Sequence, residues 1–358
     1  RSLRTKSSPR ATTAVETLAG EAKINNICAA LFKEDGSLLT SSYVDYAAGA
    51  GGSKTPDTIR ISAKSITNYT YVILVNVGNK SFSTLEKLKE DIKVDNQPMC
   101  SQFKNVTLNP GANYIGSKEV FTNAPADATF LNESAVKVYR TASRIDFEKI
   151  GVTWSDENAT DLQKANARFL LKRVYATQVK SHTYLTDRST GNNDNSVEVK
   201  DGTSGLTYLD GKQSGSASYL ETLNLFNPLE GAESVIISSG SSIESEDING
   251  GNPWRCYVTE NTESGLTLPT TLILKGDILP ETGEDPILKD RYFFVRLKDM
   301  KDTQEKPLPG IIRNYVIRIS ATITGKGSGD ETYRENASAI VTVTPDDWSV
   351  EYQKEPVN

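Results

Sequence analysis

The strongest constraint on the fold is a run of alternating residues between Tyr315 and Thr324. The residues that would share one side are Tyr315, Ile317, Ile319, Ala321 and Ile323. The residues between them, which include Arg318, Ser320 and Thr322, would share the other side. A period of two is typical of a β-strand with one buried face. This stretch therefore predicts a strand in a sheet that turns one face to water.

Similar short runs recur along the chain and are separated by turn signals. They lie at 24–32, 69–78, 106–108, 136–139, 143–152, 169–176, 270–274, 292–297 and 339–343. The run at 69–78 is apolar at nearly every position, which predicts a central strand covered on both faces. Many short strands with almost no helix are typical of β-sandwiches. We predict an all-β chain of sandwich domains, of transthyretin-like or Greek-key type.

Other segments depart from the strand pattern. Ser83 and Glu86 have the spacing of a capping box, and Leu85, Leu88 and Ile92 follow a helical period, so we expect one short helix at 84–92. We expect a loop at 155–163, long surface loops at 186–251, and a turn at 345–347.

The length of the chain indicates how many domains it forms, and its net charge indicates which partners are disfavoured. A chain of 358 residues predicts two domains, which we place at 11–142 and 143–358 after a processed segment at 1–10. The net charge of −6 does not favour binding to nucleic acid or anionic lipid. The chain opens without a signal-peptide core, so we expect the natural N-terminus to have been trimmed.

The inventory of reactive residues argues against an enzyme. The chain has a single histidine, His182, and lacks the sequence motifs of the common nucleophilic, metal-dependent and phosphate-binding enzymes. We predict no catalytic residues, no bound cofactor and no metal ion. Two alternatives stay open: calcium in the acidic loops at 192–195 or 244–250, and, as the weakest, hydrolysis of surface glycans.

The three cysteines, Cys28, Cys100 and Cys256, are far apart in the sequence and form no CxxC pair. This spacing supports neither a disulfide framework nor a zinc site. Either all three are thiols, or one disulfide leaves a single cysteine over.

Several segments resemble a known family in their order along the chain. They are 4–11 with its Arg-Ala bond, 108–116 with its Asn-Pro-Gly turn, 136–150, 313–327 with its glycine turn, and 341–350 with its single Trp. Together they resemble the FimA-type fimbrillins of the Bacteroidales, the subunits of lipoprotein-derived pili. The loops at 186–251 match no part of that family.

The resemblance implies a mechanism of assembly. A precursor exported as a lipoprotein to the outer membrane would be cut between Arg10 and Ala11 by an Arg-specific protease. Removal of the N-terminal strand would open a groove for a terminal strand of the next subunit. Trp348, Val350 and Tyr352 share one face of the last strand and could anchor it there, or they could close their own domain's core.

The resemblance to the fimbrillins also implies the partners of the chain. They are other copies of the chain, related fimbrial subunits, the Arg-specific protease, and a host protein or glycan, with no nucleic acid. We expect the chain in a fimbrium at the cell surface. The alternative is a non-polymerising surface protein or a tip adhesin that binds a glycan or host protein through 186–251.

Overall fold

The structure, a computed structural model, describes most but not all of the chain. It covers residues 21, 24–45, 61–64, 67–88, 91–92, 98–116, 124–132, 136–180, 183–185, 223–226, 235–262, 268–302, 305, 307–330 and 339–347. All structural statements below refer to these residues.

Strands dominate the described chain. In chain order they are β1 Asn26–Lys33, β2 Leu38–Asp45, β3 Asn68–Val75, β4 Asp91–Ile92, β5 Met99–Ser101, β6 Lys104–Thr107, β7 Asn113–Ile115, β8 Thr129–Asn132, β9 Val138–Arg140, β10 Ala142–Val152, β11 Arg168–Thr177, β12 Thr183–Tyr184, β13 Leu223–Phe226, β14 Val235–Ile237, β15 Ser242–Glu244, β16 Trp254–Thr259, β17 Thr271–Leu279, β18 Leu288–Arg296, β19 Met300–Lys301, β20 Pro307–Leu308, β21 Tyr315–Ile323 and β22 Ala339–Asp347. The helices are α1 Leu85–Leu88, α2 Thr160–Lys164, which follows a 3-10 turn at Glu157–Ala159, and α3 Ser245–Ile248.

The chain divides into two compact units. The N-terminal unit holds the described residues from 21 to 142 together with 183–185, and the C-terminal unit holds those from 143 to 180 and from 223 to 347. This division is compatible with a domain boundary between residues 142 and 143, which stays our prediction.

The N-terminal unit is built on a six-stranded sheet. Its strand order is β2-β1-β3-β5-β9, and β6 pairs with β3 alongside β5. Between β5 and β6 the ladder is interrupted, and the Ser101 hydroxyl accepts the hydrogen bond of the Ile73 backbone N–H at 2.9 Å. Strand β3 therefore has partners on both sides, as the apolar run at 69–78 predicts.

The C-terminal unit contains two five-stranded sheets. One has the order β15-β10-β21-β22, with β16 also paired to β10, and the other has the order β13-β11-β17-β18, with β14 also paired to β11. Strands β10 and β21 are parallel, whereas β21 and β22 are antiparallel. Buried Ile317, Ile319 and Ile323 lie on one face of β21, which confirms the alternation seen in the sequence.

Aromatic side chains fill the core between these two sheets. Trp254 of the first sheet stacks on Phe226 of the second, with ring centroids 4.5 Å apart, so the two sheets form a sandwich. In the second sheet Phe169 packs edge-on against Phe293 at 5.6 Å. Gly276 makes this packing possible, because a Cβ there would lie 2.3 Å from the Phe169 ring and from the Leu170 carbonyl oxygen.

The structure confirms the predicted all-β class, with multiple antiparallel sheets and one short helix in the N-terminal unit. The prediction of a helix over 84–92 is right for Leu85–Leu88 and wrong further on, since Asp91–Ile92 pairs with β12. The loop predicted at 155–163 is also wrong. A 3-10 turn and α2 occupy it, because Asp156 accepts a hydrogen bond from the Asn158 backbone N–H and starts the turn.

The described residues of the segment 186–251 form the short elements β13, β14, β15 and α3, and the long loops expected there stay a prediction. One further expectation needs correction. The turn predicted at 345–347 is instead the end of β22, where Pro345 lies opposite Ile317. Proline is tolerated there because no described strand pairs with the other edge of β22.

All three cysteines are buried and free. Cys28 and Cys100 lie on either side of Leu74 in the six-stranded sheet. Two strand spacings of about 4.8 Å separate them, which exceeds the reach of a disulfide.

Candidate strand-acceptor face

The six-stranded sheet of the N-terminal unit is apolar on both faces. Its inner face is the buried cluster Cys28, Ala30, Phe32, Val72, Leu74, Phe82, Leu88, Cys100 and Leu185, with the partly buried Leu38, Tyr43, Val77, Leu85 and Phe103 packed against it. Its outer face consists of buried Leu31, Tyr69 and Tyr71 with the partly buried Leu39, Ile61, Ile73, Val106, Leu108, Ile115 and Val136.

The strand register explains this division. Successive side chains of a strand point to opposite faces, so Tyr71 and Ile73 of β3 face outward and Val72 and Leu74 face inward. Leu31 of β1 lies directly opposite Tyr71, so the outer face continues from strand to strand. Because both sets are apolar, each face needs a covering layer to exclude water.

The two faces differ in how completely they are covered. Nine of the fourteen side chains of the inner face are buried, and Val72 and Leu74 are at 0% exposure. On the outer face seven of the ten side chains are only partly buried. The outer face therefore keeps apolar surface in contact with water.

The layer over the outer face explains the incomplete cover. In the described chain, Ile115 of the two-stranded parallel sheet β7–β8 packs on this face. Strands in a sheet lie about 4.8 Å apart, so two strands are much narrower than the six-stranded sheet beneath them. Within the described residues, β7 and β8 pair only with each other, which leaves backbone edges on both sides.

Basic side chains adjoin the outer face. Lys104 lies opposite Tyr71 in the β3–β6 ladder, and Lys137 follows Val136 of the outer face. Lys64 precedes β3, and its backbone oxygen accepts a hydrogen bond from Tyr69. All three lysines are exposed. A segment that carries acidic residues would therefore meet complementary charge here.

The C-terminal unit ends its described part in an edge strand. Strand β22 pairs with β21 along its whole length, from Ala339 opposite Ile323 to Asp347 opposite Tyr315. Ile340 of this strand is 55% exposed. The predicted anchors Trp348, Val350 and Tyr352 come directly after β22 but lie outside the described residues, as do Arg10 and Ala11 of the predicted cleavage site.

The C-terminal unit contains a buried cluster of charged groups. The buried Asp146 carboxylate lies 3.0 Å from Arg144 Nε and 2.5 Å from Arg255 Nε. Burial, together with this nearby negative charge, raises the pKa of the Cys256 thiol to about 12. The thiol therefore stays protonated near neutral pH and lacks the thiolate that a nucleophile needs.

Among the described residues no group of three or more His, Cys, Asp or Glu side chains is arranged to hold a metal ion. In the acidic stretch 244–250, Glu244 pairs with Lys149 and Ser245–Ile248 forms α3. His182 lies outside the part of the chain that the structure describes. No described helix has the length and apolar character required to span a membrane.

Sequence reasoning found β3 and its two apolar faces but missed the outer face as a site. The available signal was the apolar run at 69–78, which predicted cover on both sides. It contained no information on how wide the second layer would be, because that depends on contacts between segments far apart in the chain.

One family of known proteins matches the first part of the chain. The family described as major fimbrial subunit protein (FimA) matches residues 2–166. No curated protein sequence matches the chain at a significant level.

Solved structures share the fold over nearly the whole chain. A candidate cell adhesion protein from Parabacteroides distasonis has a TM-score of 0.63 at 19% identity and covers 95% of each chain. A fimbrilin (FimA) from Porphyromonas gingivalis has a TM-score of 0.59 at 19% identity, over 98% of this chain and 97% of its own. The resemblance to the FimA-type fimbrillins is therefore confirmed: residues 2–166 match that family, and the chain as a whole has the fimbrillin fold.

Proposed function

We propose that the chain is a polymerising subunit of a bacterial surface fimbria. The family match and the fimbrillin fold support a pilin role at the cell surface and association with other fimbrial subunits. We further propose that assembly has three steps. They are export as a lipoprotein precursor to the outer membrane, cleavage between Arg10 and Ala11, and donor-strand exchange between subunits.

The observation that carries the proposal is the half-covered outer face of the N-terminal unit. A strand laid beside β7 or β8 would pair with a backbone edge and would cover side chains that are now partly exposed, such as Leu39 and Ile73. Addition of a strand to an open edge is a common mode of peptide recognition. This face is therefore suited to accept an extended segment of another subunit.

The segment after β22 has the composition for this role. Trp348, Val350 and Tyr352 alternate with Ser349 and Glu351, so one side of an extended strand would be apolar. Each large apolar side chain that becomes fully buried contributes about 1.5–3 kcal/mol. Three such anchors and a backbone ladder would give a joint much more stable than one made of surface contacts.

Proteolysis supplies the trigger in this proposal. Arg10 precedes Ala11 in a polar segment that contains Pro9, a composition that is accessible to proteases in many proteins. As long as residues 1–10 remain attached, they would compete with the incoming strand for the same face. Cleavage would remove this competition and allow assembly.

The experiment is limited digestion of the purified chain with trypsin, followed by electrophoresis in sodium dodecyl sulfate without heating. We expect cleavage after Arg10 to produce ladders of multimers that resist the detergent. Deletion of residues 348–358 should abolish the ladders while leaving cleavage intact.

An Arg10→Ala variant is the matched control, since it keeps every anchor and loses only the cleavage site. It should remain monomeric under conditions in which the wild-type chain forms ladders. Monomers that persist after complete cleavage of the wild-type chain would contradict the proposal.

A further inference from the structure

Three polar residues meet in the interior of the C-terminal unit. They are Gln178, directly after β11, Asn261, two residues after β16, and Thr270, directly before β17. The Thr270 hydroxyl donates a hydrogen bond to the Gln178 backbone oxygen at 3.1 Å, and Asn261 Nδ2 donates to the same oxygen at 3.3 Å. All three residues are at most 3% exposed. The fold therefore brings polar groups from three distant segments into one buried place, which we call the amide cluster.

The backbone of Gln178 has an uncommon conformation. Its φ is +56°, in the left-handed region that residues other than glycine rarely adopt. Such a conformation persists where the surrounding structure fixes it, and here two hydrogen bonds hold the carbonyl oxygen of the residue. The Gln178 side chain therefore starts from a fixed point beside Asn261.

The side-chain amides of the cluster are incompletely hydrogen-bonded. Asn261 Nδ2 also donates to the Leu268 backbone oxygen at 3.0 Å, but Asn261 Oδ1 forms no hydrogen bond with any described residue. Within the described chain, Gln178 Nε2 and Gln178 Oε1 have no hydrogen-bond partner either. Three unpaired polar atoms on two neighbouring buried side chains call for an explanation, because each atom has lost its contact with bulk water.

The chemistry of these three atoms identifies the ligand that would suit them. Gln178 Oε1 and Asn261 Oδ1 accept hydrogen bonds, whereas Gln178 Nε2 only donates them. A cation would be repelled by the NH₂ group, and an anion would be repelled by the two oxygens. A water molecule both donates and accepts, and a buried water makes about three hydrogen bonds to groups that would otherwise be unpaired.

We propose that the amide cluster is an internal water site, in which bound water completes the hydrogen bonds of Gln178 and Asn261. The water would connect the segment after β11 with the segment after β16, which the backbone ladders of the two sheets do not join directly. This inference concerns the interior of one unit. It is therefore independent of the proposed role in a fimbria.

The first experiment is a crystal structure of the full chain at a resolution that shows ordered water in the protein interior. The second compares the wild-type chain with Gln178→Met, which keeps the length of the side chain and removes both polar atoms. Gln163→Met is the matched control, because Gln163 is exposed on α2. Two quantities are measured for each chain: the number of long-lived internal waters, by magnetic relaxation dispersion of water, and the urea midpoint of unfolding.

We expect the crystal structure to show at least one water within hydrogen-bonding distance of both the Gln178 amide and Asn261 Oδ1. Gln178→Met should reduce the number of long-lived waters and leave the urea midpoint unchanged or lower. An amide that was unpaired would behave differently, since its removal would raise the midpoint. Gln163→Met should change neither quantity.

A crystal structure in which the two amides bond directly to protein groups, with no water at the cluster, would overturn the inference. A raised urea midpoint in Gln178→Met, together with an unchanged number of long-lived waters, would also contradict it. If Gln178→Met does not fold, the crystal structure of the wild-type chain decides the question alone.

Discussion

The inner and outer faces of the six-stranded sheet are made by the same strands and yet are covered to different degrees. Val72 and Leu74 point inward and are fully buried, whereas their neighbour Ile73 points outward and is half-buried. The difference lies in the layer above each face and not in the apolar character of the residues. A sheet can therefore have one face that stabilises the folded chain and another that is available to a partner.

Substitutions only one residue apart on β3 should therefore lower the free energy of unfolding of the monomer by different amounts. The inner face contributes to folding of the monomer, because most of its side chains, including Val72 and Leu74, are buried in the folded chain. The outer face gains its remaining burial only when a further strand arrives. The following predictions test that separation.

The largest difference is expected between Leu74→Ala and Ile73→Ala. Leu74→Ala should lower the free energy of unfolding by about 2–5 kcal/mol, because it leaves a cavity in a fully buried cluster. Ile73→Ala should cost about 1 kcal/mol in the monomer, since that side chain is only half-buried. Urea denaturation of the uncleaved chain measures both values. Equal losses would mean that the two faces are equally buried in solution.

Thiols offer a second contrast between the faces. The native Cys28 and Cys100 of the inner face should resist a soluble thiol reagent, whereas the thiol of a Val106→Cys variant on the outer face should react. After trypsin treatment and assembly, the new thiol should become protected, because the donated strand covers it. Mass spectrometry of the labelled chain gives the number of modified thiols. Labelling of the new thiol at one rate before and after assembly would contradict the proposed position of the strand.

The free energy of unfolding should also depend on pH, because the inner face contains a buried thiol. Burial raises the pKa of Cys28 in the folded chain, so the thiol stays protonated while the unfolded thiol ionises near pH 8.5. The stability that this contributes is present below that pH and is lost as the pH rises toward the folded pKa. The free energy of unfolding should therefore decrease above pH 8.5, and the decrease should be smaller in Cys28→Ala. The thiol of Val106→Cys, at a partly buried position, should add a smaller dependence.

The smallest effect is expected from a change of charge at Lys104, which adjoins the outer face. Lys104→Glu should change the monomer's urea midpoint little, because Lys104 is exposed. It should slow ladder formation at low salt, where attraction to the acidic donor segment is least screened. The effect should shrink as salt is added. Thr107→Glu on the same strand, also exposed, is a control for added negative charge.

Local pattern predicted much of the fold. The alternation at 315–324 and the apolar run at 69–78 identified β21 and β3, because side chain direction within a strand depends only on the period of the backbone. Helix α1 was predicted from its capping spacing, but its end was not. Asp91 and Ile92 pair with β12, and a contact with residues about ninety positions later leaves no local signal.

The strands that were not predicted from the sequence also depend on contacts with distant segments. Strands β13 to β15 were missed within 186–251 because each has only three or four residues and Gly, Ser and Asn are common around them, and their partners β10 and β11 lie far away in sequence. The continuation of β22 through Pro345 was missed because proline normally ends a strand. It is compatible with this position only because β22 is at the edge of its sheet.

The sequence by itself determined the all-β class, the family resemblance, the absence of common catalytic motifs, and the alternation that gives β3 two apolar faces. Only the tertiary structure decided that one of these faces lies, within the described residues, beneath the two-stranded sheet β7–β8 and keeps seven partly exposed side chains. Alternation is a property of a strand and can be predicted from neighbouring residues. The width of a covering layer depends on which distant segments pair, and it emerges only when the chain is folded.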